Sequence, residues 1–102
     1  INNAKIGTVC TPLASTTTVL NLSTFDGVNI DYVIKKSGNM RAGNVMGVWN
    51  GSTVKYSETS TMDIGDTSEF TFTINNTGAV TANFTTGTWV VEIFYRAIGG
   101  CS

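Results

Sequence analysis

The sequence predicts an all-β domain, an antiparallel β-sandwich of jelly-roll-like form with about eight strands over residues 1–102. Three observations carry this. Thr, Val, Ile, Phe and Tyr recur throughout, and these residues suit a pleated, half-buried surface. Turn residues return about every ten positions, the spacing of a sandwich or barrel. No apolar i, i+3, i+4 pattern persists, so no helix is expected. A chain of 102 residues is one domain's worth.

The elements follow in order. Pro12 breaks the chain, and Thr16 to Leu22 is the first strand expected. Asp26-Gly27 reads as a turn. Asn29 to Lys36 alternates, with Ile30, Tyr32 and Ile34 on one face. Ser37-Gly38-Asn39 turns the chain into Arg41 to Trp49. Asn50-Gly51 is the strongest hairpin signal, since both residues tolerate positive φ. Thr53 to Ser57 returns from it. Glu58 to Thr67 is a loop. Glu69 to Ile74 points Phe70, Phe72 and Ile74 inward. Ala79 to Thr85 points Val80, Ala82 and Phe84 inward. Thr88 to Ile98 is the last strand. A string of hairpins makes the sheets mainly antiparallel. The expected core is Ile30, Tyr32, Ile34, Phe70, Phe72, Ile74, Val80, Phe84, Val91 and Ile93.

Charge narrows the partners. Asp, Glu, Lys and Arg make up 13% of the chain and its net charge is −1, against about 25% charged residues in ordinary domains. Lys35, Lys36 and Arg41 are the nearest thing to a basic cluster, and they flank a turn. Phosphate binding needs more, so nucleic acid is not an expected partner. The most apolar stretch, Trp89 to Ile98, is broken by Glu92 and Arg96 and is too short to span a bilayer as a helix, so no membrane insertion is expected. The first residue is Ile1, which suggests a fragment or a processed product.

Catalytic chemistry finds little to work with. The chain has no His, which removes the commonest general base and the Ser-His and Cys-His pairs. No phosphate-binding glycine loop is present, and no cofactor is implied. Asp63, Asp66 and Glu69 could supply oxygens to a cation, but their spacing is not that of an EF-hand and they read as a solvated loop. Asp26 and Asp31 read as a turn residue and an outward strand residue, not as a glycosidase pair. No enzyme activity and no metal site are expected.

Binding candidates are few. Trp49 and Asn50 lie at a sheet end, where an indole face and neutral amides suit a sugar. Trp49 also follows Gly47 by two, so covering a same-face glycine is the favoured role. Cys10 and Cys101 either bond to each other, closing nearly the whole chain, or are two ordinary thiols. The last strand is apolar on both faces. Val90 and Phe94 lie opposite Trp89, Val91, Ile93 and Tyr95, so the second face meets a loop of its own chain or another subunit. The four Asn-X-Ser/Thr sites at Asn21, Asn50, Asn75 and Asn83 carry little weight in a chain so rich in Thr and Asn.

The run Ile30-Asp31-Tyr32-Val33-Ile34-Lys35-Lys36, a Gly-Asn turn, and Arg41-Ala42-Gly43-Asn44-Val45-Met46 resembles a pattern in carboxy-terminal domains of bacteriophage tail fibre and tailspike proteins. Gly65-Asp66-Thr67 and Val91-Glu92-Ile93-Phe94-Tyr95-Arg96 stand where that pattern has its loop and its closing strand. Lys36 and Val33 depart from it, as do the terminal cysteines, and the first twenty-odd residues lie outside it. The resemblance implies a small β-sandwich at the end of a trimeric fibre on the virion, outside the cell, binding a host-surface glycan or protein. It implies a homotrimer, with Val90 and Phe94 near the subunit contact. A purely structural trimerisation, capping or capsid-decoration domain and a carbohydrate-binding module of a secreted protein are the competing classes.

Overall fold

The structure is a computed structural model that describes residues 3–101. Eight strands run in chain order: β1 (Ala4–Leu13), β2 (Thr17–Asn21), β3 (Gly27–Lys36), β4 (Asn39–Trp49), β5 (Val54–Ser60), β6 (Thr71–Ile74), β7 (Ala79–Asn83) and β8 (Trp89–Ile98). They form a five-stranded sheet, β1-β8-β3-β4-β5, and a three-stranded sheet, β2-β7-β6. Every pairing between these strands is antiparallel.

The first strand lies beside the last, and the second beside the second-last. This wrapping is that of a jelly roll. The β3-β4-β5 meander departs from it by extending one sheet to five strands. Only β3-β4, β4-β5 and β6-β7 are hairpins, so the chain is not the string of hairpins expected. It crosses between sheets at β1-β2, β2-β3, β5-β6 and β7-β8.

Strand β1 is a correction to the sequence reading, which began its strands after Pro12. Its inward residues are Lys5, Gly7, Val9, Thr11 and Leu13, and only Leu13 is buried. An edge strand that overhangs the smaller sheet has no need of apolar alternation. Its single neighbour is β8, and an edge tolerates Pro12.

The turns also differ from expectation. Ser37 (φ 49°) and Gly38 (φ 88°) join Lys36 to its partner Asn39, so the tight two-residue hairpin is here. Asn50-Gly51 opens a four-residue loop instead, between Trp49 and its partner Val54. The Asn50 side-chain oxygen accepts the N–H groups of Ser52 (3.0 Å) and Thr53 (2.8 Å). That is the Asx arrangement, in which an amide replaces a backbone acceptor.

All ten expected core residues are buried. The core centres on Phe70, whose ring lies 5.0 Å from Phe72, 5.3 Å from Trp89 and 5.8 Å from Phe84. Tyr32, from the larger sheet, lies 4.8 Å from Phe72 on β6, so this pair ties the two layers together.

Candidate functional site

Alternation along β8 divides its residues between two environments. Trp89, Val91, Ile93, Tyr95 and Ala97 are buried between the sheets. Val90, Glu92, Phe94, Arg96 and Ile98 face away from the smaller sheet, and Phe94 and Ile98 stay 45% and 61% exposed. Among the described residues no loop covers Phe94 or Ile98. Register extends this outer face across the sheet. Phe94 lies between Thr8 on β1 and Asp31 on β3, and Ile98 between Ala4 and Gly27. Beyond Gly27 comes Val48, and beyond Asn29 comes Met46.

The outer face is apolar at its two ends and mixed between, where Phe94 and Ile6 stand among polar groups. In the middle, the Asn44 amide donates to Asn29 and to Asp31 (3.1 Å), and Lys35 pairs with Glu92 at 3.3 Å. At one end lie Met46, Val48 and Ile98. At the other, Ile64 bridges Met40, and Met62 sits with Val33 and Ala42. Of the eight large apolar residues exposed among the described residues, seven belong to this face or its rim: Ile6, Met46, Val48, Met62, Ile64, Phe94 and Ile98. Exposed apolar residues scattered singly are ordinary, and the gathering of seven on one face sets it apart from the rest of the described surface.

Two polar clamps hold the loops that frame this face. Arg41 points inward from β4, not into the turn beside which the sequence places it. Its guanidinium donates to the Tyr32 hydroxyl (3.0 Å) and to the carbonyls of Thr67 (3.3 Å) and Phe70 (3.0 Å), and it pairs with Glu58 at 3.5 Å. The Tyr32 hydroxyl donates to Glu58. Burial, then the Glu58 carboxylate that accepts its proton, pushes the Tyr32 phenol up to about 12. This clamp fixes the return from the loop that carries Met62 and Ile64.

In the second clamp, Glu69 accepts the N–H groups of Thr85 (3.0 Å) and Thr86 (2.9 Å), and Lys36 sits 3.1 Å from it. Those bonds, the Thr85 N–H first, hold the Glu69 carboxyl down at about 2. A charge pattern in the sequence locates Lys36, Arg41 and Glu69 but not their partners, which, Tyr32 apart, lie 16 or more positions away along the chain.

Of the other residues singled out in the sequence, Asp26, Trp49 and Asn50 line one cavity, and the rest lie apart. Trp49 is 6% exposed, and its indole lies over Gly78, not Gly47. A Cβ at Gly78 would come within 2.5–2.7 Å of that ring. Gly47 is instead approached by Ile74 and Tyr56. The Trp49 ring is largely covered and the Asn50 oxygen is spent on its own turn, while both residues line an open cavity of about 630 Å³ with Phe25, Asp26, Asn76 and Thr77. Asp63, Asp66 and Glu69 separate, bonding to Thr67, Ser68 and Thr85-Thr86. Among the described residues, no group of three His, Cys, Asp or Glu is arranged to hold a metal ion. Asp26 and Asp31 lie five residues apart along one run of chain, roughly 16 Å at strand rise, too far for either glycosidase geometry.

Cys10 and Cys101 are both free and exposed, which corrects the bonded alternative. Cys10 faces Glu92, whereas the chain leaves β8 at Ile98, opposite Ala4 and roughly 20 Å further along. The Gly100 N–H is held by Asp26 at that end. The three residues from Ile98 to Cys101 reach about 10 Å, which leaves the sulfurs outside bonding range.

No protein-family model matches the chain, and no curated protein matches it. Among solved structures, the crystal structure of the Acinetobacter phage vB_ApiP_P1 tailspike protein is similar, with a TM-score of 0.51 and 18% identity. The match covers 91% of this chain and 21% of that one, so this chain spans about a fifth of that tailspike's length. At this identity the likeness is one of fold.

Proposed function

We propose that this chain is a terminal β-sandwich domain of a phage tail fibre or tailspike, exposed on the virion. It assembles as a homotrimer through the outer face of the five-stranded sheet and contributes to host-surface attachment. It is a binding or structural module and not an enzyme. The observation that carries this reading is the outer face itself, where Phe94 and most of the other exposed apolar side chains gather without cover. The fold shared with a tailspike supports the setting, and the residue pattern of β3, β4 and β8 supports it independently.

Sparse charge favours association, because little like-charge repulsion keeps copies apart. Closed cyclic symmetry is the usual way such a surface is satisfied. Light scattering at tens of micromolar tests the assembly: three 10.8 kDa chains are expected, and a single chain's mass refutes the trimer. Binding of the labelled domain to whole host cells tests attachment. The covered Trp49 favours one second reading, a trimerisation or capping domain with no ligand, for which a trimer that binds no host cell is the expected result.

A further inference from the structure

The open cavity beside Trp49 sits at one end of the sandwich, and three connections build it. They are the crossing from β2 to β3, the loop from β4 to β5 and the turn from β6 to β7. The first passes between the sheets, the second belongs to the larger sheet and the third to the smaller. Its volume of about 630 Å³ falls within the roughly 300–1,000 Å³ usual for small-molecule sites.

Backbone hydrogen bonds tie these connections to one another. The Trp49 N–H donates to the Asp26 carbonyl (3.1 Å), the Gly51 N–H to the Asn76 carbonyl (2.9 Å) and the Leu22 N–H to the Gly78 carbonyl (3.0 Å). A site fixed in this way before its ligand arrives loses little to ordering when the ligand binds.

The lining groups that the fold leaves unused are mostly neutral. Asn50 spends its side-chain oxygen on its own turn and keeps its amide N–H donors. The Ser23 hydroxyl and the Asn76 side-chain amide line the cavity and make no hydrogen bond among the described residues. Asp26 accepts the Gly100 N–H on one carboxylate oxygen and keeps the other. Phe25, half-buried against the core, supplies an apolar wall.

This mixture suits a sugar. Each sugar hydroxyl both donates and accepts, and the C–H face of a pyranose packs on an apolar ring. The charge of the cavity narrows the choice. No Lys or Arg lines it. Arg96 shares a neighbouring recess with Asp26 but forms no ion pair with it among the described residues. A phosphate or a uronate would therefore meet a carboxylate that nothing in the cavity offsets. A cation would meet amide N–H donors beside a single carboxylate that already holds a backbone N–H.

Resting on the attachment role proposed above, we propose that this cavity binds a pyranose ring of a neutral host-surface saccharide. Asp26, Asn50 and Asn76 hold its hydroxyls, and Phe25 packs against its C–H face.

Titration of the isotope-labelled domain, followed by NMR, tests it. The probes are methyl glycosides of the common neutral hexoses, deoxyhexoses and N-acetylhexosamines, with glucuronate and lysine as charged controls. At least one neutral glycoside at millimolar concentration should shift the backbone amides of Gly51, Asn76 and Thr77, and the controls should not. Asn76→Ala removes an exposed amide that no described residue uses. Asp26→Asn removes the charge and keeps an oxygen for the Gly100 N–H. Both variants should melt as the parent does, and each should bind the responding glycoside about tenfold more weakly, the loss of one good hydrogen bond. Neutral probes that shift nothing at the cavity, charged probes that alone shift it, or variants that bind as the parent does each overturn the inference. Host-cell binding separates it from the attachment role. If Asn76→Ala binds cells as the parent does, attachment stands and this cavity is not its site. If the parent binds no cells while a glycoside fills the cavity, the site stands and the attachment role falls.

Discussion

Replacing Phe72 with Ala should cost about 4–5 kcal/mol, the upper part of the range for deleting a buried aromatic ring. The environment sets this figure. Phe72 is buried on β6, a strand of four residues that gives the core only Phe72 and Ile74. Its ring is flanked by Tyr32 at 4.8 Å and Phe70 at 5.0 Å, in tilted and edge-on geometries that add to simple burial. A cavity is costly when its walls cannot collapse, and these walls are pinned. Arg41 donates to the Tyr32 hydroxyl and to the Phe70 carbonyl, so both rings are held from outside the core. Urea unfolding followed by the fluorescence of the buried Trp49 and Trp89 reads the loss directly. With a slope of about 1.5 kcal/mol per molar urea, the midpoint should fall by about 3 M. A loss below about 1 kcal/mol would refute the argument, because it requires either that the walls relax freely or that Phe72 is not between the sheets.

Phe94→Glu should leave the chain folded. The new carboxylate lies opposite Asp31, a like-charge pair that costs less than about 1 kcal/mol, and a circular-dichroism melt that shows an unfolded chain would place Phe94 in the core. Gly78→Ala should cost about 2–4 kcal/mol, since it combines a φ of +81° with a Cβ pressed into the Trp49 indole; an unchanged urea midpoint would mean that the indole does not rest there. Glu69 has its carboxyl depressed in the folded state to about 2, so its contribution is present above the ordinary carboxyl pKa, near 4.5, and is lost as pH falls toward 2. Glu69→Gln should therefore flatten the acid side of the stability profile in that window, and a profile parallel to the parent's would exclude this role.

The inner half of the fold was legible because burial imposes period two on strands covered on one face. Ile30, Tyr32 and Ile34 show it, and so do Phe70, Phe72 and Ile74. Strand β1 was not legible, since its pairing with β8 spans almost the whole chain and its overhang leaves most of it exposed. Trp49 was read onto the wrong glycine for a related reason. The nearest glycine in sequence was Gly47, but the turn that reaches the indole comes from Gly78, on the opposite sheet. The Arg41 clamp was hidden in the same way, because Thr67 and Phe70 reach it only once the loop after β5 has folded back. The double apolar character of β8 was visible in the sequence, but choosing between a covering loop and another subunit required knowing where every loop ends.

Strand β8 separates folding from the proposed assembly by parity. It is central in the larger sheet, with β1 on one side and β3 on the other, so its backbone is fixed whatever its outward side chains are. Substitutions at Trp89, Val91, Ile93 and Tyr95 act on the closed interior, where one deleted ring or branch is a large part of a small domain's stability. Substitutions at Val90, Glu92, Phe94, Arg96 and Ile98 act on a face that is part-exposed or exposed among the described residues. A scan along this one strand should then alternate: odd positions lower the melting temperature, and even positions change the mass in solution. If the even positions also behaved as core, the outer face would have to be covered by the same chain, and the proposed assembly would lose its surface.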